Sequence, residues 1–357
     1  MIIDRVLELE SVSERLKKEK RPIFLYGMGD GAEKIYAYLS RFGIEIKGVV
    51  ASDGFVRGQS FLGFTVMPIS KAEAEFGSLC LVLCFGLEGE KCRFLKELGE
   101  KHLLVSPNIP VFGDGACDKN FIAENKEKFQ RVYDLMADDA SKEMFVSLLK
   151  YNVSGDVSYI WGNNLWDAPQ EFYNHSKRHI DIGAYDGDTV SEYVLHNKDY
   201  SDIIAFEPDK ISFNKLSKNP LGIRNLTAVN AAAGAKKGLI AFDSGKGRAS
   251  HCGEGEGFID CETVDNYCGF THIHAKGTEV GSIKIDAEGM DKEVIYGAVN
   301  TIYVCKCHLS VALYHRAEDY IDLPLLLRKH NPNYKFYLRK KEYVPSWDVF
   351  LYAINHK

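Results

Sequence analysis

The stretch His-Ile-Asp-Ile-Gly-Ala-Tyr-Asp-Gly-Asp-Thr, residues 179–189, decides the fold of the C-terminal half of this chain. Its first four residues have the length and apolar character of a buried strand. Gly183 and Gly187 permit a sharp turn and let a ligand approach the backbone closely. The Asp and Thr residues after them are typical of a helix N-cap, so we predict a strand, a glycine turn and a helix. The backbone N–H groups of such a helix start face a bound ligand.

The acidic residues of this turn indicate which kind of ligand it takes. Asp181, Asp186 and Asp188 crowd the turn, whereas a pyrophosphate site favours bare glycine and basic residues. A positively charged ligand suits such a turn, and S-adenosylmethionine carries both a sulfonium and an ammonium group.

Three later segments have the pattern of strands that end beside this turn. They read Asp-Ile-Ile-Ala-Phe-Glu-Pro-Asp (202–209), Leu-Thr-Ala-Val-Asn-Ala-Ala-Ala-Gly (226–234) and Gly-Ser-Ile-Lys-Ile-Asp-Ala-Glu-Gly-Met-Asp (281–291). Glu207 follows the glycines at about 20 residues, the spacing at which an acid binds both hydroxyls of a ribose. The 226–234 segment would lie beside the adenine, and the 281–291 segment places Asp286 and Glu288 at a strand end.

These segments resemble the FkbM-type S-adenosylmethionine-dependent methyltransferases. The matching residues are Asp-Ile-Gly-Ala-Tyr-Asp-Gly-Asp-Thr (181–189), Ala-Phe-Glu-Pro-Asp (205–209), Asn-Ala-Ala (230–232) and, most specific to the family, Ile-Lys-Ile-Asp-Ala-Glu-Gly (283–289). The resemblance implies a class I methyltransferase fold over residues 171–357: a Rossmann-like, mostly parallel sheet with an antiparallel edge strand. It also implies transfer of a methyl group to a hydroxyl oxygen, often on a carbohydrate or another secondary metabolite.

The resemblance and the strand pattern together assign the cofactor-binding residues. They are Asp181, Gly183, Ala184, Tyr185, Asp186, Thr189, Glu207, Pro208, Asn230, Ala231 and Asp286. Glu207 is assigned to the ribose, with a surface acid after a strand as the alternative. Asp181 is assigned to the turn or to the amino group of the cofactor, with a strand-end cap as the alternative.

The catalytic candidates are Asp286, Glu288 and His315. A hydroxyl acceptor benefits from a base, and all three follow strands whose carboxyl ends form the ligand edge of an open α/β sheet. Glu288 is read as a base, a metal ligand or a helix N-cap partner, and His315 as a base, a substrate contact or a structural residue. We predict no metal: Cys305-x-Cys307-His308 lacks the usual zinc spacing, and Asp286 with Glu288 is an alternative pair for Mg²⁺.

Composition restricts the class of protein. The 357 residues carry 44 Lys and Arg against 50 Asp and Glu, a net charge of −6, whereas nucleic-acid surfaces normally carry a basic excess. The nine cysteines form no Cys-x-x-Cys pair, which is typical of reduced thiols. With no apolar run of about 18 residues, no membrane span is expected. We predict a cytoplasmic protein with a small-molecule or glycan acceptor and no nucleic-acid partner, and leave a homo-oligomer open.

The first 106 residues alternate strand and helix patterns, which predicts a smaller Rossmann-like domain after an amphipathic helix over 1–20. Gly27, Gly29 and Gly31 follow its first strand. With Val-Val-Ala-Ser-Asp (49–53) and Gly-Phe-Thr-Val-Met-Pro (63–68), this pattern resembles the nucleotide-sugar-binding domain of sugar acetyltransferases. A scaffold, a nucleotide-sugar site and an NAD site all remain open.

Residues 107–170 predict a connector with two helices. Trp161, Trp166 and Tyr173 are expected to pack at the domain junction; the alternative is that Tyr173, with Gln170 and Glu171, lines the ligand site. A glycine-rich insertion over 235–278 predicts a mobile hairpin or lid over the site, in which Arg248, Ser250 and His251 either touch the acceptor or lie in solvent.

Two other classes of function compete with a methyltransferase. One is a binding protein that retains the fold without turnover. The other is a nicotinamide-dependent enzyme that uses the N-terminal glycines. The sequence leaves the acceptor and the identity of the base open.

Overall fold

The fold was analysed in a computed structural model of the chain. It describes residues 1–113, 115–161, 166–243, 251–252 and 257–356. The predicted acceptor contacts Arg248 and Ser250, and the side chain of His251, lie outside the described residues. Within the described ranges, every helix is too short or too polar to traverse a lipid bilayer.

The N-terminal segment forms two short helices, α1 (Ile2–Leu7) and α2 (Val12–Lys18), where a single helix over 1–20 was predicted. Ser11 interrupts the helix because it caps a new one. Its hydroxyl accepts from the Glu14 N–H at 3.2 Å, and the Glu14 carboxylate accepts from the Ser11 N–H at 2.6 Å. This capping box satisfies two backbone donors that a helix start leaves free.

The first sheet has five parallel strands, in the order β5-β2-β1-β6-β8. Its apolar strands are covered by helices, as the alternating pattern predicts. The strands of this half are β1 (Ile23–Tyr26), β2 (Gly48–Ala51), β3 (Ser60–Phe61), β4 (Phe64–Thr65), β5 (Met67–Pro68), β6 (Cys80–Leu83), β7 (Leu87–Glu88) and β8 (Leu103–Val105). The helices are α3 (Asp30–Arg41), α4 (Ile69–Phe76) and α5 (Cys92–Lys101).

In its described residues the connector forms three α-helices rather than two: α6 (Lys119–Glu124), α7 (Lys126–Leu135) and α8 (Asp139–Ser154). The extra helix arises because Asn125 interrupts the helical pattern, ending α6 and preceding α7 with a φ of −108° and a ψ of 20°. The connector also packs on the second sheet, since Ser141 of α8 accepts from the Leu338 N–H at 2.9 Å.

The second sheet has seven strands, in the order β11-β10-β9-β16-β17-β20-β18. The strands of this half are β9 (Arg178–Ile182), β10 (Ile203–Phe206), β11 (Leu226–Val229), β12 (Ala232–Ala233), β13 (Gly238–Asp243), β14 (His251–Cys252), β15 (Gly257–Glu262), β16 (Val280–Ile285), β17 (His308–Ala312), β18 (Tyr334–Lys340), β19 (Tyr343–Val344) and β20 (Val349–Asn355). The helices are α9 (Gln170–Tyr173), α10 (Asp188–His196), α11 (Lys210–Leu216), α12 (Val264–Cys268), α13 (Asp291–Tyr296), α14 (Val299–Cys305) and α15 (Asp319–His330).

This strand order confirms the predicted class I methyltransferase fold and refines one detail. The antiparallel strand β20 lies between β17 and β18, one position inside the edge, and pairs with both. A short connection joins β18 to β20, so β20 returns antiparallel beside β18 and leaves β18 at the edge. Strand β15 ends at Glu262 and the chain then enters α12, because Thr263 caps that helix by accepting from the Asn266 N–H at 3.0 Å.

The two halves are joined by a small strand pair. Strand β7 of the first half runs antiparallel to β19 of the second, with Glu88 opposite Tyr343 and Leu87 opposite Val344. The Gly89 N–H also donates to the Glu342 carbonyl at 2.9 Å. These backbone bonds hold Glu88 beside the carboxyl edge of the second sheet.

Candidate functional site

The glycine turn after β9 has the sharp geometry that its sequence predicts. Gly183 has a φ of +75°, and a Cβ there would lie 2.0 Å from the Asp286 carbonyl oxygen. The N–H groups of Gly183 and Ala184 both donate to the Phe206 carbonyl at 3.0 Å. The turn therefore fits tightly between the ends of β10 and β16, and no larger side chain can replace Gly183 without moving the backbone.

Glu207 follows β10 directly and faces this turn. Its carboxylate accepts from the Tyr185 N–H at 2.8 Å and from the Asp209 N–H at 2.7 Å. Burial raises the pKa of Glu207 to about 7, with these two amides partly offsetting the effect. Asn230 lies behind it, donating to the backbone carbonyls of Glu207 and Pro208 at 2.9 Å and 3.0 Å. Asn230 therefore holds the loop that presents Glu207.

Lys284 is the residue of the site that the sequence analysis missed. Its ammonium lies 3.2 Å from Asp181 Oδ1 and 3.7 Å from Asp286 Oδ2, and donates to the Gly183 carbonyl at 2.8 Å. Burial works against the charge, but the two carboxylates raise the pKa of Lys284 above its ordinary value. The available signal was a lysine between two isoleucines in the segment predicted as a buried strand, since a buried charge needs a partner.

Asp181 is fully buried beneath the turn. Besides the contact with Lys284, it accepts from the Thr189 hydroxyl at 2.6 Å. Its position in β9 fixes the strand end to the start of α10. Of its three predicted roles, this geometry favours orienting the turn.

Asp286 and Glu288 follow β16 and meet the end of β17. Tyr314 donates to Asp286 Oδ1 at 3.2 Å. Burial alone would raise the pKa of Asp286, but Lys284 and His315 hold it well below its usual value. Burial raises the pKa of Glu288 to about 8, and His315 opposes this rise. The two acids therefore differ in proton affinity.

His315 lies behind these acids and is fully buried. Its Nδ1 is 2.7 Å from Asp291 Oδ2, and its Nε2 is 3.2 Å from Asp286 Oδ1 and 3.7 Å from Glu288 Oε2. Burial works against a charged ring, yet the surrounding carboxylates, Asp291 foremost, raise the pKa of His315 well above its ordinary value. His315 thus contacts Asp286 and Glu288 from the side away from the pocket, and any effect on a substrate passes through them.

A pocket of about 250 Å³ opens at this edge of the sheet. Most of the predicted residues line it: Asp181, Gly183, Tyr185, Thr189, Glu207, Pro208, Ala231, Asp286 and Glu288. Four predicted residues lie outside the lining: Ala184, Asp186, Asn230 and His315. Its apolar wall comes from residues such as Phe206, Ala232, Phe242 and Met290.

The far end of the pocket is aromatic and polar. Tyr173 lines it, whereas its neighbours Gln170 and Glu171 do not. The Trp166 indole N–H donates to Glu192 at 2.7 Å, and the Lys341 ammonium lies 4.1 Å from the centre of the Trp166 ring. Glu88 lines the same end from the first half of the chain. Sequence reasoning could not find Glu88, because only the pairing of β7 with β19 brings it there.

Comparisons with known proteins agree with this architecture. Residues 181–336 match the family model described as the methyltransferase FkbM domain. The chain is also similar to the crystal structure of methyltransferase FkbM from Methylobacillus flagellatus KT, at 17% identity and a TM-score of 0.67, over 99% of this chain and 93% of that one. At this identity the likeness shows the fold.

Two further structures are similar only to about half of the chain. An rRNA methylase from Streptococcus thermophilus is 12% identical over 53% of this chain and 92% of that one, with a TM-score of 0.34. Fibrillarin from Aeropyrum pernix, with natively bound S-adenosyl-L-methionine, is 10% identical over 51% and 68%, with a TM-score of 0.31. Scores this low carry no weight here. No curated protein matches the sequence.

Proposed function

Because residues 181–336 match the family model described as the methyltransferase FkbM domain, we propose that this chain transfers the methyl group of S-adenosylmethionine to a hydroxyl oxygen of a sugar, a glycan or another secondary metabolite. The observation that carries the proposal is the composition of one pocket. Glu207 lines it after β10, and Asp286 and Glu288 line it after β16. Both groups lie at the carboxyl ends of parallel strands, where ligands bind in open α/β sheets.

The cofactor half of the pocket suits an adenosine. Glu207 uses each carboxylate oxygen for one backbone N–H, and a carboxylate offers about four acceptor positions. Two positions therefore remain for the ribose hydroxyls. Phe206, Ala231 and Ala232 give an apolar wall for the adenine, while Asp286 and the other acids attract the cationic methionine end.

The acceptor half of the pocket combines aromatic rings with charged groups. Trp166, Tyr173 and Tyr352 line it together with Glu192 and Lys341. A sugar presents apolar C–H faces and hydroxyl edges, so it can contact such rings while its hydroxyls bond the polar groups. This composition supports an acceptor rich in hydroxyl groups.

Methyl transfer requires that the acceptor oxygen be positioned beside the methyl carbon and that a base accept the hydroxyl proton. The acceptor oxygen attacks the methyl carbon, the electron pair of the broken C–S bond stays on sulfur, and S-adenosylhomocysteine leaves. The hydroxyl proton passes to a carboxylate, for which Glu288 is the candidate, since it lines the pocket at the end of β16. The protein otherwise contributes orientation and electrostatic stabilisation.

The test is to incubate the chain with S-adenosylmethionine carrying a ¹³C-methyl group and a panel of monosaccharides, nucleotide-sugars and oligosaccharides. We expect the label on oxygen, identified by NMR of the product. Glu288→Gln should lower the rate and leave the affinity for S-adenosylmethionine unchanged, and Glu318→Gln, after β17 and outside the pocket lining, is the matched control. Label on nitrogen or carbon, or a full rate in Glu288→Gln, would contradict the proposal.

A further inference from the structure

The carboxyl edge of the second sheet also carries a cluster formed by Asp286, Glu288 and His315. One ligand atom from each of these residues lies within 4.8 Å of the other two. Nε2 of His315 is 3.2 Å from Asp286 Oδ1 and 3.7 Å from Glu288 Oε2. Neighbouring ligands around an octahedral ion with bonds near 2.1 Å stand about 3 Å apart, so these atoms are close to the separation that a shared ion imposes.

The ring of His315 is oriented as a metal-ligating histidine is. Asp291 holds Nδ1 at 2.7 Å, and Asp291 is itself fixed by the Ala287 N–H, which donates to it at 2.9 Å. Metal-binding histidines usually donate their other ring N–H to a carboxylate, which fixes the tautomer and directs the free nitrogen at the ion. Asp291 supplies that second contact.

The second ring nitrogen of His315, Nε2, faces the carboxylate oxygens of Asp286 and Glu288 but makes no hydrogen bond to them. Nε2 of His315 is buried and has no hydrogen-bond partner within the part of the chain that the structure describes. A buried polar atom without a partner costs roughly 1–3 kcal/mol. An ion between Nε2 and the two carboxylates would give this nitrogen a partner.

Charge favours a cation at the same place. The carboxylates of Asp286, Glu288 and Asp291 surround the imidazole ring of His315. Asp319, together with Asp291 and His315, forms a second group of possible metal ligands. The nearby Lys284 ammonium contacts Asp181 and the Gly183 carbonyl and lies 3.7 Å from Oδ2 of Asp286, the oxygen that does not face His315. Buried carboxylates need a positive partner, and this cluster holds more acids than cations.

We propose that Asp286 Oδ1, Glu288 Oε2 and His315 Nε2 form a binding site for one divalent cation at the floor of the pocket. Two carboxylate oxygens and one imidazole nitrogen suit an ion that accepts both, such as Mn²⁺. Asp286 and Glu288 line the pocket and His315 lies behind them, so the open coordination positions face the pocket.

The use of this ion in catalysis rests on the proposed function, but its binding does not. An acceptor hydroxyl bound to the ion in the pocket would be held beside the transferable methyl group and would lose its proton more readily. Glu288 binds through one oxygen in this arrangement, so its other oxygen stays available for the proton.

The experiment measures Mn²⁺ binding to the chelator-treated full chain by electron paramagnetic resonance. We expect one Mn²⁺ per chain, with nitrogen modulation of its electron spin echo from the His315 imidazole. Glu288→Gln and His315→Gln should each weaken binding by at least about tenfold. Glu288 is partly exposed, so its variant tests the site even if loss of the buried histidine disturbs folding, which circular dichroism would reveal.

Glu192→Gln is the matched control, since Glu192 lines the same pocket outside the cluster and should leave Mn²⁺ affinity unchanged. Equal losses in Glu192→Gln and Glu288→Gln, an ion without nitrogen modulation, or no binding at all would overturn the metal site. Calorimetry with S-adenosylmethionine on the same metal-free sample separates the two proposals, because cofactor binding without Mn²⁺ binding rejects only the metal site.

Discussion

The chain contains two strand-turn-helix corners of the same design, one after β1 and one after β9, and their differences lie in the adjacent strands. Both turns have two glycines with positive φ, Gly27 and Gly29 in the first and Gly183 and Gly187 in the second. Two residues before the first glycine, the first sheet pairs Leu25 with Val82. The second sheet has Asp181 opposite Lys284 at that register.

The next strand shows the same contrast. Glu207 lies one residue beyond the Ile182–Phe206 pair, and the equivalent position in the first sheet, one residue beyond the Tyr26–Val50 pair, is Ala51. Asp53, the nearest acid there, is exposed and accepts from the Ser70 N–H at 3.2 Å. The Phe85 ring lies against Gly27. Glycines thus shape a corner, while the residues on neighbouring strands decide whether it can hold a charged ligand.

Substituting a glycine in each corner gives the largest expected effect. Gly183→Ala places a Cβ 2.0 Å from the Asp286 carbonyl, which should cost about 4 kcal/mol of unfolding free energy from overpacking and backbone strain. It should also abolish detectable S-adenosylmethionine binding. Denaturant unfolding and calorimetry measure the two effects.

Gly29→Ala is the matched control for that prediction. Gly29 has a φ of +122° but no atom within 4 Å of an added Cβ. The substitution should therefore lower the free energy of unfolding only through backbone strain, by about 1–3 kcal/mol. Cofactor affinity should not change. Equal loss of affinity in both variants would mean that the corners act together.

Removing Lys284 should have the next largest effect. Lys284→Met leaves Asp181 buried without its cation, which typically costs about 3–5 kcal/mol. Adding Asp181→Asn should recover a substantial part of that loss, because the stranded charge disappears. Urea unfolding of the two single variants and the double variant measures the coupling; simple additivity would show that the pair does not interact.

Glu207 at the second corner and Asp53 at the first corner should differ in their effect on cofactor affinity when each is replaced by its amide. Loss of the charged acceptor for a ribose diol should weaken S-adenosylmethionine binding by about 10- to 100-fold, the equivalent of roughly 1.5–3 kcal/mol. Asp53→Asn should leave the affinity unchanged. Isothermal titration of both variants decides this, and an unaffected Glu207→Gln would remove the ribose assignment.

The smallest expected effect is a pH dependence that only the second corner produces. Burial raises the pKa of Glu207 to about 7 from 4.5, so the charged form that the diol needs increases as pH rises through 7. Affinity for S-adenosylmethionine should therefore rise by up to about tenfold between pH 6 and pH 8, the change in the charged fraction of Glu207. Glu207→Gln should remove this part of the profile.

Stability should change in the opposite direction. Folding raises the pKa of Glu207, so the folded state binds its proton more tightly than the unfolded state does. Its contribution to unfolding free energy is complete below pH 4.5 and decreases as pH rises through 7. Urea unfolding of the wild type and Glu207→Gln at matched pH values isolates this contribution; parallel profiles would contradict the raised pKa.

Local sequence patterns correctly predicted the strands, turns and helix starts that depend on one short segment of the chain. The strand at 179–182, the glycine turn, the helix start at Asp188 and the acid at Glu207 follow from apolar runs and turn chemistry. The C-terminal fold class followed from the resemblance of its motifs to the FkbM-type methyltransferases. The interruption at Ser11 was missed because a side-chain cap overrides a continuing apolar stripe. The interruption at Asn125 was missed because this residue separates α6 from α7 without a side-chain cap.

What the sequence could not reveal depends on contacts between distant residues. The Lys284–Asp181 pair is visible only once β16 lies beside β9. Glu88 reaches the pocket through β7 and β19, which are more than 250 residues apart along the chain. His315 was found as a candidate, but its burial behind Asp286 and Glu288 required the three-dimensional packing of β16, β17 and α13.

The most direct test of this account is a pair of titrations of the wild-type chain, one with S-adenosylmethionine and one with NADH. If the second corner is the cofactor site, calorimetry should give one S-adenosylmethionine per chain, displaced by S-adenosylhomocysteine, and NADH fluorescence should not change. Binding of NADH without any S-adenosylmethionine binding would contradict the account and move the function to the first corner.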